Sequence, residues 1–204
     1  MLRVDTLRVP GLAPVSFSLS FGDCLAVQGT SGAGKTRLLR AIADLDQCDG
    51  HLLLDGVSRS ELSGPDWRRR VRYVSSEPAW WAPTPRPHFT DVEFLADASR
   101  LASLLQSVGL RPELLDRSLA ELSTGERLRL ALIRSLADEP RVMLFDEPTA
   151  QLDPTNAGLA ELFIRTMIAA GRAVIVVSHE RGLIQRLARR RLQITDGNVW
   201  MEAV

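Results

Sequence analysis

Residues 29–36 read Gly-Thr-Ser-Gly-Ala-Gly-Lys-Thr, and no other stretch restricts the fold as strongly. Gly29 and Gly34 permit positive φ and close backbone approach. Across Thr30, Ser31, Gly32 and Ala33, several backbone N–H groups can converge on one anion. Lys35 adds a compact positive charge for phosphate, and Thr36 a hydroxyl oxygen for a hard cation. The flanks agree. Cys24-Leu25-Ala26-Val27-Gln28 is short and apolar, like a buried parallel strand. Arg37-Leu38-Leu39-Arg40-Ala41-Ile42-Ala43 follows at helical spacing, so a helix N-terminus faces the bound phosphates. Strand, phosphate loop and helix in this order predict nucleotide binding.

The bulk numbers narrow the class. A chain of 204 residues suits one large domain, or one domain with an insert. Lys plus Arg and Asp plus Glu are both 25, giving zero formal charge. That argues against a bulk basic field, and no nucleic-acid partner is expected. Two local clusters, Arg68-Arg69-Arg70 and Arg189-Arg190-Arg191, read as solvated rims flanking strands. Cys24 and Cys48 have neither metal nor redox spacing, and a reducing cytosol is expected. The chain opens without an apolar signal segment, and no run approaches 18 uncharged apolar residues.

Along the chain, Leu2–Val9, Val15–Phe21, His51–Leu54 and Arg72–Ser75 read as strands. Glu77–Phe89 carries Pro78, Pro83, Pro85 and Pro87 around Trp80-Trp81 and reads as an irregular loop. Thr90-Asp91-Val92-Glu93 resembles a capping box ahead of a helix carrying Phe94, Leu95, Ala98, Leu101, Leu105 and Val108, closed by Gly109. A short helix is expected from Arg111-Pro112-Glu113 and a longer one over residues 123–136. Val142–Phe145 and Ala173–Ser178 are near-continuous apolar runs, as in strands covered on both faces, with a helix between them over 156–170. Leu192–Thr195 and Asn198–Met201 are the expected closing strands.

Further motifs carry chemistry. Val142–Phe145 ends in Asp146 and Glu147. Beside a phosphate loop, Asp146 can hold Mg²⁺ and Glu147 can polarise an attacking water. Leu122-Ser123-Thr124-Gly125-Glu126 would make a capping box through Ser123 and Glu126, and also leaves a hydroxyl and glycine amide at a helix start. Ala150-Gln151-Leu152-Asp153 follows the carboxylates, and His179 follows a strand. On its own such a histidine reads as a polar strand end, although it could reach a γ-phosphate.

In this order the pieces resemble the nucleotide-binding domain of the ATP-binding cassette (ABC) family across essentially the whole chain. Gly29–Thr36 resembles its Walker A motif, Leu122–Glu126 its signature, Val142–Glu147 its Walker B with catalytic glutamate, Ala150–Asp153 its D-loop and His179 its switch histidine. The resemblance implies an α/β fold: a P-loop NTPase core, with a mixed sheet under covering helices and an antiparallel β region, plus a helical insert. It implies a single domain over 1–204, with core 1–77 and 139–204 and insert 78–138. ATP and Mg²⁺ are the implied cofactors. Glu147, His179 and Lys35 would be catalytic; Gly29 to Thr36 and Arg37 would hold ATP; Thr36, Asp146 and Ser76 would face the metal. Two copies would sandwich two ATP molecules, with Ser123, Thr124, Gly125 and Glu126 of one copy serving the other, and Asp153 would be the D-loop residue. The implied partner is a separate transmembrane permease subunit that holds the cassette on the cytoplasmic face of the membrane.

Three departures stand out from that pattern. Ser76, in Tyr73-Val74-Ser75-Ser76-Glu77-Pro78, occupies a position where the family usually has Gln. The region Leu7-Arg8-Val9-Pro10-Gly11 lacks the aromatic residue that usually stacks on adenine. Arg37 stands where the family often has a small hydroxyl. The chain is also similar to ATPase subunits of small two-component exporters, metal, iron or haem exporters among them. The other readings are a soluble cassette without transport, as in iron–sulfur cluster assembly, and a regulatory cassette that only binds ATP. DNA-repair cassettes carry long coiled coils, unlike this insert of short elements. Trp80 and Trp81 are expected to leave at least one indole exposed as an anchor for the permease.

Overall fold

The computed structural model of the chain describes residues 1–90 and 97–204. Ten strands form two sheets. The larger has six strands in the order β10-β9-β3-β8-β7-β6. These are Asn198–Ala203, Arg190–Thr195, Cys24–Gly29, Ala173–Val177, Val142–Asp146 and Val71–Val74. All neighbours in it run parallel except the terminal β9–β10 hairpin. Its turn, Asp196-Gly197, has positive φ at both residues, as a two-residue hairpin requires. The smaller sheet is antiparallel, in the order β2-β1-β4-β5, from Val15–Leu19, Leu2–Arg8, Asp49–Leu54 and Val57–Ser58.

Strands β7 and β8 are buried at every residue. Their β-branched and apolar side chains therefore feed two cores, one on each face, by period-two alternation. Met143, Phe145, Val174 and Val176 face a core shared with Leu101, Leu105, Leu130 and Ile133 of the middle segment and with Phe163 and Ile164. Val142, Leu144, Ile175 and Val177 face the other core, with Leu38, Leu39 and Ile42, the antiparallel sheet and Trp67. Each fully buried Val, Leu or Phe contributes about 1.5–3 kcal/mol. The middle segment is thus seated on the same strands that carry the Asp146 carboxylate.

Helices α1 (Lys35–Ile42), α2 (Gly64–Arg70), α3 (Pro87–Thr90), α4 (Ala98–Ser107), α5 (Thr124–Arg134), α6 (Pro154–Ala169) and α7 (Arg181–Leu187) complete the described elements with two 3₁₀ turns. The helix start read at Thr90-Asp91-Val92-Glu93, with Phe94 and Leu95, lies beyond Thr90 outside the described residues. Three helices escaped the sequence reading: α2, α7 and the short α3, whose Pro87–Phe89 lie in the segment read as an irregular loop. Helix α2 is capped by Ser63 and ends in Arg68-Arg69-Arg70, so one of the basic clusters is a helix C-terminal turn, where positive charge favours the dipole. Its Trp67 is fully buried and donates its indole N–H to the Ile42 carbonyl at 2.9 Å. Helix α7 falls where only a strand end was expected. The second basic cluster lies along β9, where Arg191 is held by Glu202 across the hairpin and by Gln28. Among the described residues no helix is long and apolar enough to cross a membrane.

Candidate functional site

Strand β3, the phosphate loop and α1 form one continuous unit. Two glycines show why the loop has its composition. A Cβ on Gly29 would lie 2.5 Å from the Ile194 carbonyl oxygen of the neighbouring strand. Gly34 has φ +98°, and a Cβ there would press on Leu12 at 3.1 Å. No side chain caps α1 at Gly34, so its first-turn N–H groups are left for an anion. The Lys35 ammonium arches back over the loop, donating to the carbonyls of Gly29 at 2.9 Å and Thr30 at 3.0 Å. That holds a buried cation against the loop.

The loop opens into a cavity of about 470 Å³. Ser31 to Arg37 form its floor; Asp146, Glu147 and His179 stand on one wall. Thr36 and Asp146, 110 positions apart, meet when the Thr36 hydroxyl donates to Asp146 Oδ2 at 2.7 Å. Tyr73 on β6 donates its hydroxyl to the same oxygen at 2.9 Å. Burial of the phenol, and then the charge and hydrogen bond of the buried Asp146 carboxylate, push the Tyr73 hydroxyl well above its ordinary range. Tyr73 was not anticipated as a site residue; its place on a strand beside β7, three positions before the motif serine, was the available signal.

The Thr36–Asp146 pair is a hard-oxygen set suited to Mg²⁺. Among the described residues no group of three or more His, Cys, Asp or Glu is arranged to hold a metal. A protein contribution of one carboxylate and one hydroxyl suits an ion that completes its shell with phosphate oxygens and water.

Glu147 sits at φ +50°, a left-handed conformation uncommon for a non-glycine residue. Its N–H donates to the Val177 carbonyl at 3.0 Å, which ties it to β8. Its Oε1 lies 3.3 Å from His179 Nε2, and its Oε2 accepts from the His179 N–H at 3.4 Å. Burial pushes the Glu147 carboxyl above its ordinary value, against the lowering pull of His179 and Lys35. A partly desolvated carboxylate beside a phosphate site is a suitable general base.

The other expected site residues lie elsewhere. Ser76 lines a separate cavity of about 390 Å³ with Glu77, Pro78, Trp80, Thr124, Arg127 and Gln151. Ser123 caps α5 in a complete capping box. Its oxygen accepts from the Glu126 N–H at 3.2 Å, and Glu126 accepts from the Ser123 N–H at 2.8 Å. That bond, chiefly, lowers the Glu126 carboxyl. Gly125 is packed so that a Cβ would sit 3.1 Å from Leu152. Asp153 caps α6, accepting from the N–H groups of Thr155 and Asn156. None of Ser123, Thr124, Gly125, Glu126 and Asp153 lines the phosphate cavity of its own chain.

The family model described as ABC transporter matches residues 12–150. Protein STAR1 of Oryza sativa subsp. japonica is 35% identical over 195 residues, covering 92% of this chain and 56% of its own. A Streptomyces coelicolor protein named Fe(3+) ions import ATP-binding protein FbpC is 35% identical, covering 97% of this chain and 60% of its own. Its Mesorhizobium japonicum namesake is 33% identical, covering 93% and 55%. The chain therefore spans less than two thirds of the length of these curated relatives. A solved ATP-binding subunit of an ABC transporter superposes with TM-score 0.88 at 22% identity, over 100% of this chain and 90% of its own. A dimeric ATP-binding cassette in a post-hydrolysis state, bound to ADP and Pi, superposes with TM-score 0.82 at 21% identity, over 100% and 98%. These two likenesses bear on the fold.

Proposed function

The chain belongs to the ABC transporter family, and on that premise we propose that it is the ATP-binding, ATP-hydrolysing subunit of a membrane transporter whose transmembrane part is a separate chain. The observation that carries this reading is the meeting of Thr36, Asp146 and Glu147 at one cavity above the phosphate loop. The loop amides and Lys35 bind the phosphates. Thr36 and Asp146 would hold Mg²⁺, which would supply positive charge to the phosphates. Glu147 orients water and takes its proton, and His179, in contact with Glu147, fixes that side chain toward the γ-phosphate. Ser123 and Gly125 serve the γ-phosphate of a second copy in an ATP-dependent homodimer. This arrangement drives closure and reopening of two copies and serves either direction of transport; two of the relatives are named for Fe(3+) import, while the sequence likeness was to small exporters. Purified chain with Mg²⁺ and ATP should release phosphate, and the absence of nucleotide binding would remove the reading.

The permease surface we place at Trp81. This indole is 75% exposed, meets His88 in a tilted contact with ring centres 3.8 Å apart and borders a cavity of about 400 Å³. Trp80 is half-buried and packs against the core. The Arg134 guanidinium lies 4.2 Å from the centre of the Trp80 ring. Burial and nearby Arg72 lower Arg134 to about 10, and among the described residues it has no carboxylate partner. A docking segment with an apolar face and a carboxylate fits both groups. Trp81→Ala should leave folding and ATP binding intact and abolish co-purification with the permease; retained assembly would exclude the surface.

A further inference from the structure

Resting on the nucleotide-site reading above, the geometry leads us to propose that the Arg37 guanidinium is the base platform of this site, stacking its flat face on the nucleobase. The triphosphate has two ends. The attacked phosphorus lies at the Glu147–His179 wall, so ribose and base leave toward the other side of the loop. Lining residues that neither belong to the phosphate loop nor flank the attack are Arg37, Arg40, Asp46 and Val177. Val177 belongs to β8, beneath the Glu147 backbone. Arg40 is fully engaged, held by Asp46 through two bonds at 2.9 and 2.7 Å.

Arg37 is exposed and differently tethered. Its Nη1 donates to the Pro10 carbonyl at 2.6 Å, and no ion pair holds it among the described residues. This contact depends on Gly11: a Cβ there would approach Nη1 at 3.3 Å. The Pro10–Leu12 turn is itself pinned, because Leu12 packs on Gly34, and the following Ala13 N–H donates to the Gly197 carbonyl at 2.6 Å. A single edge-on bond thus fixes the guanidinium near the cavity mouth and leaves its planar faces uncommitted. Among the described residues no Phe, Tyr or Trp lines the cavity. A guanidinium plane stacks on bases much as an aromatic ring does, whereas an ammonium does not. Every base has a π-face, so such a platform tolerates different bases.

The test measures equilibrium binding of Mg²⁺-ATP, Mg²⁺-GTP and Mg²⁺-tripolyphosphate to the full chain and to Arg37→Ala and Arg37→Lys. The wild type should bind ATP more tightly than tripolyphosphate, and ATP and GTP within roughly tenfold of each other. Arg37→Ala should weaken ATP roughly tenfold and change tripolyphosphate far less; Arg37→Lys should behave like Ala toward ATP. Equal losses for ATP and tripolyphosphate, or full ATP affinity in Arg37→Lys, would overturn the proposal, since charge on the phosphates would then explain the residue. A preference for ATP over GTP above roughly 100-fold would overturn it too, because a base edge would be read elsewhere. A wild type that binds neither ATP nor tripolyphosphate would remove the nucleotide-site reading itself, and the platform with it.

Discussion

At the phosphate loop, residues from four separate stretches of sequence converge: Lys35 and Thr36, Tyr73, Asp146 and Glu147, and His179. At Ser123–Glu126 the same kinds of group, a hydroxyl and a carboxylate, bond to their own helix start. Both regions rest on strand β7 and its covering core, so neither is poorly folded. They differ in what their polar groups reach. The first region brings a cation, a hydroxyl and two carboxylates to one cavity; the second satisfies itself locally. A helix start tied up in a capping box is stable without a ligand. It meets a phosphate only if another surface delivers one. The contrast teaches that one half of the proposed chemistry is assembled within a chain, while the other half, on the proposed reading, would act on a second copy.

The largest effect should come from the assembled half. Glu147→Gln is expected to lower kcat by about 10²–10⁴ while ATP still binds. A variant that retains more than roughly a tenth of the parent rate would show that Glu147 is not the base. The parent enzyme should also lose kcat/KM on acidification at a pH above the usual carboxylate range. Burial raises the Glu147 carboxyl, and only its ionised form takes a proton.

Next is the cation under the loop. Lys35→Ala should weaken ATP and tripolyphosphate alike by about 10–100-fold, the worth of charge-assisted hydrogen bonds. Isothermal titration calorimetry with both ligands measures it. A loss confined to ATP would mean that Lys35 senses something other than phosphate. Smaller again, Tyr73→Phe removes a donor from Asp146 without removing the ring. It should raise the Mg²⁺ concentration needed for tight ATP binding by about tenfold and leave metal-free ATP binding unchanged. An unaltered Mg²⁺ dependence would reduce the Tyr73 contact to packing.

The smallest effect concerns stability. A carboxyl raised in the folded state stabilises the fold below its unfolded pKa, and that contribution is lost as pH rises through the folded value. At neutral pH the Glu147 carboxylate is therefore a cost. Glu147→Gln should raise Tm by a few degrees at neutral pH, with the gain shrinking as pH falls into the carboxylate range. A gain that is independent of pH would point to the backbone at φ +50° instead.

The local signals in the sequence were those with short range. The phosphate loop lies between a strand and a helix, as its flanks indicate, and the all-apolar runs at 142–145 and 173–177 are buried central strands. The capping box at Ser123 was equally legible, because both partners lie within one helix turn. What stayed hidden depends on contacts across the chain. Tyr73 looks like any β-strand aromatic until β6 pairs with β7 and brings its hydroxyl to Asp146. Helix α2 was masked by its arginines, since its amphipathic signal rests on the single buried Trp67. Ser76, set beside the metal by the family resemblance alone, lines a cavity other than the one that holds Thr36 and Asp146.

Whether the Ser123–Glu126 helix start acts only on a second copy is decided by analytical ultracentrifugation of Glu147→Gln. With Mg²⁺ and ATP the variant should sediment as a dimer, because two composite sites close and cannot discharge. Adding Ser123→Glu to the same chain should leave ATP binding intact and return the protein to a monomer, since a further carboxylate there would repel the partner's γ-phosphate. A double variant that still forms the ATP-dependent dimer, or a Glu147→Gln chain that binds ATP and remains monomeric, would contradict action on a second copy.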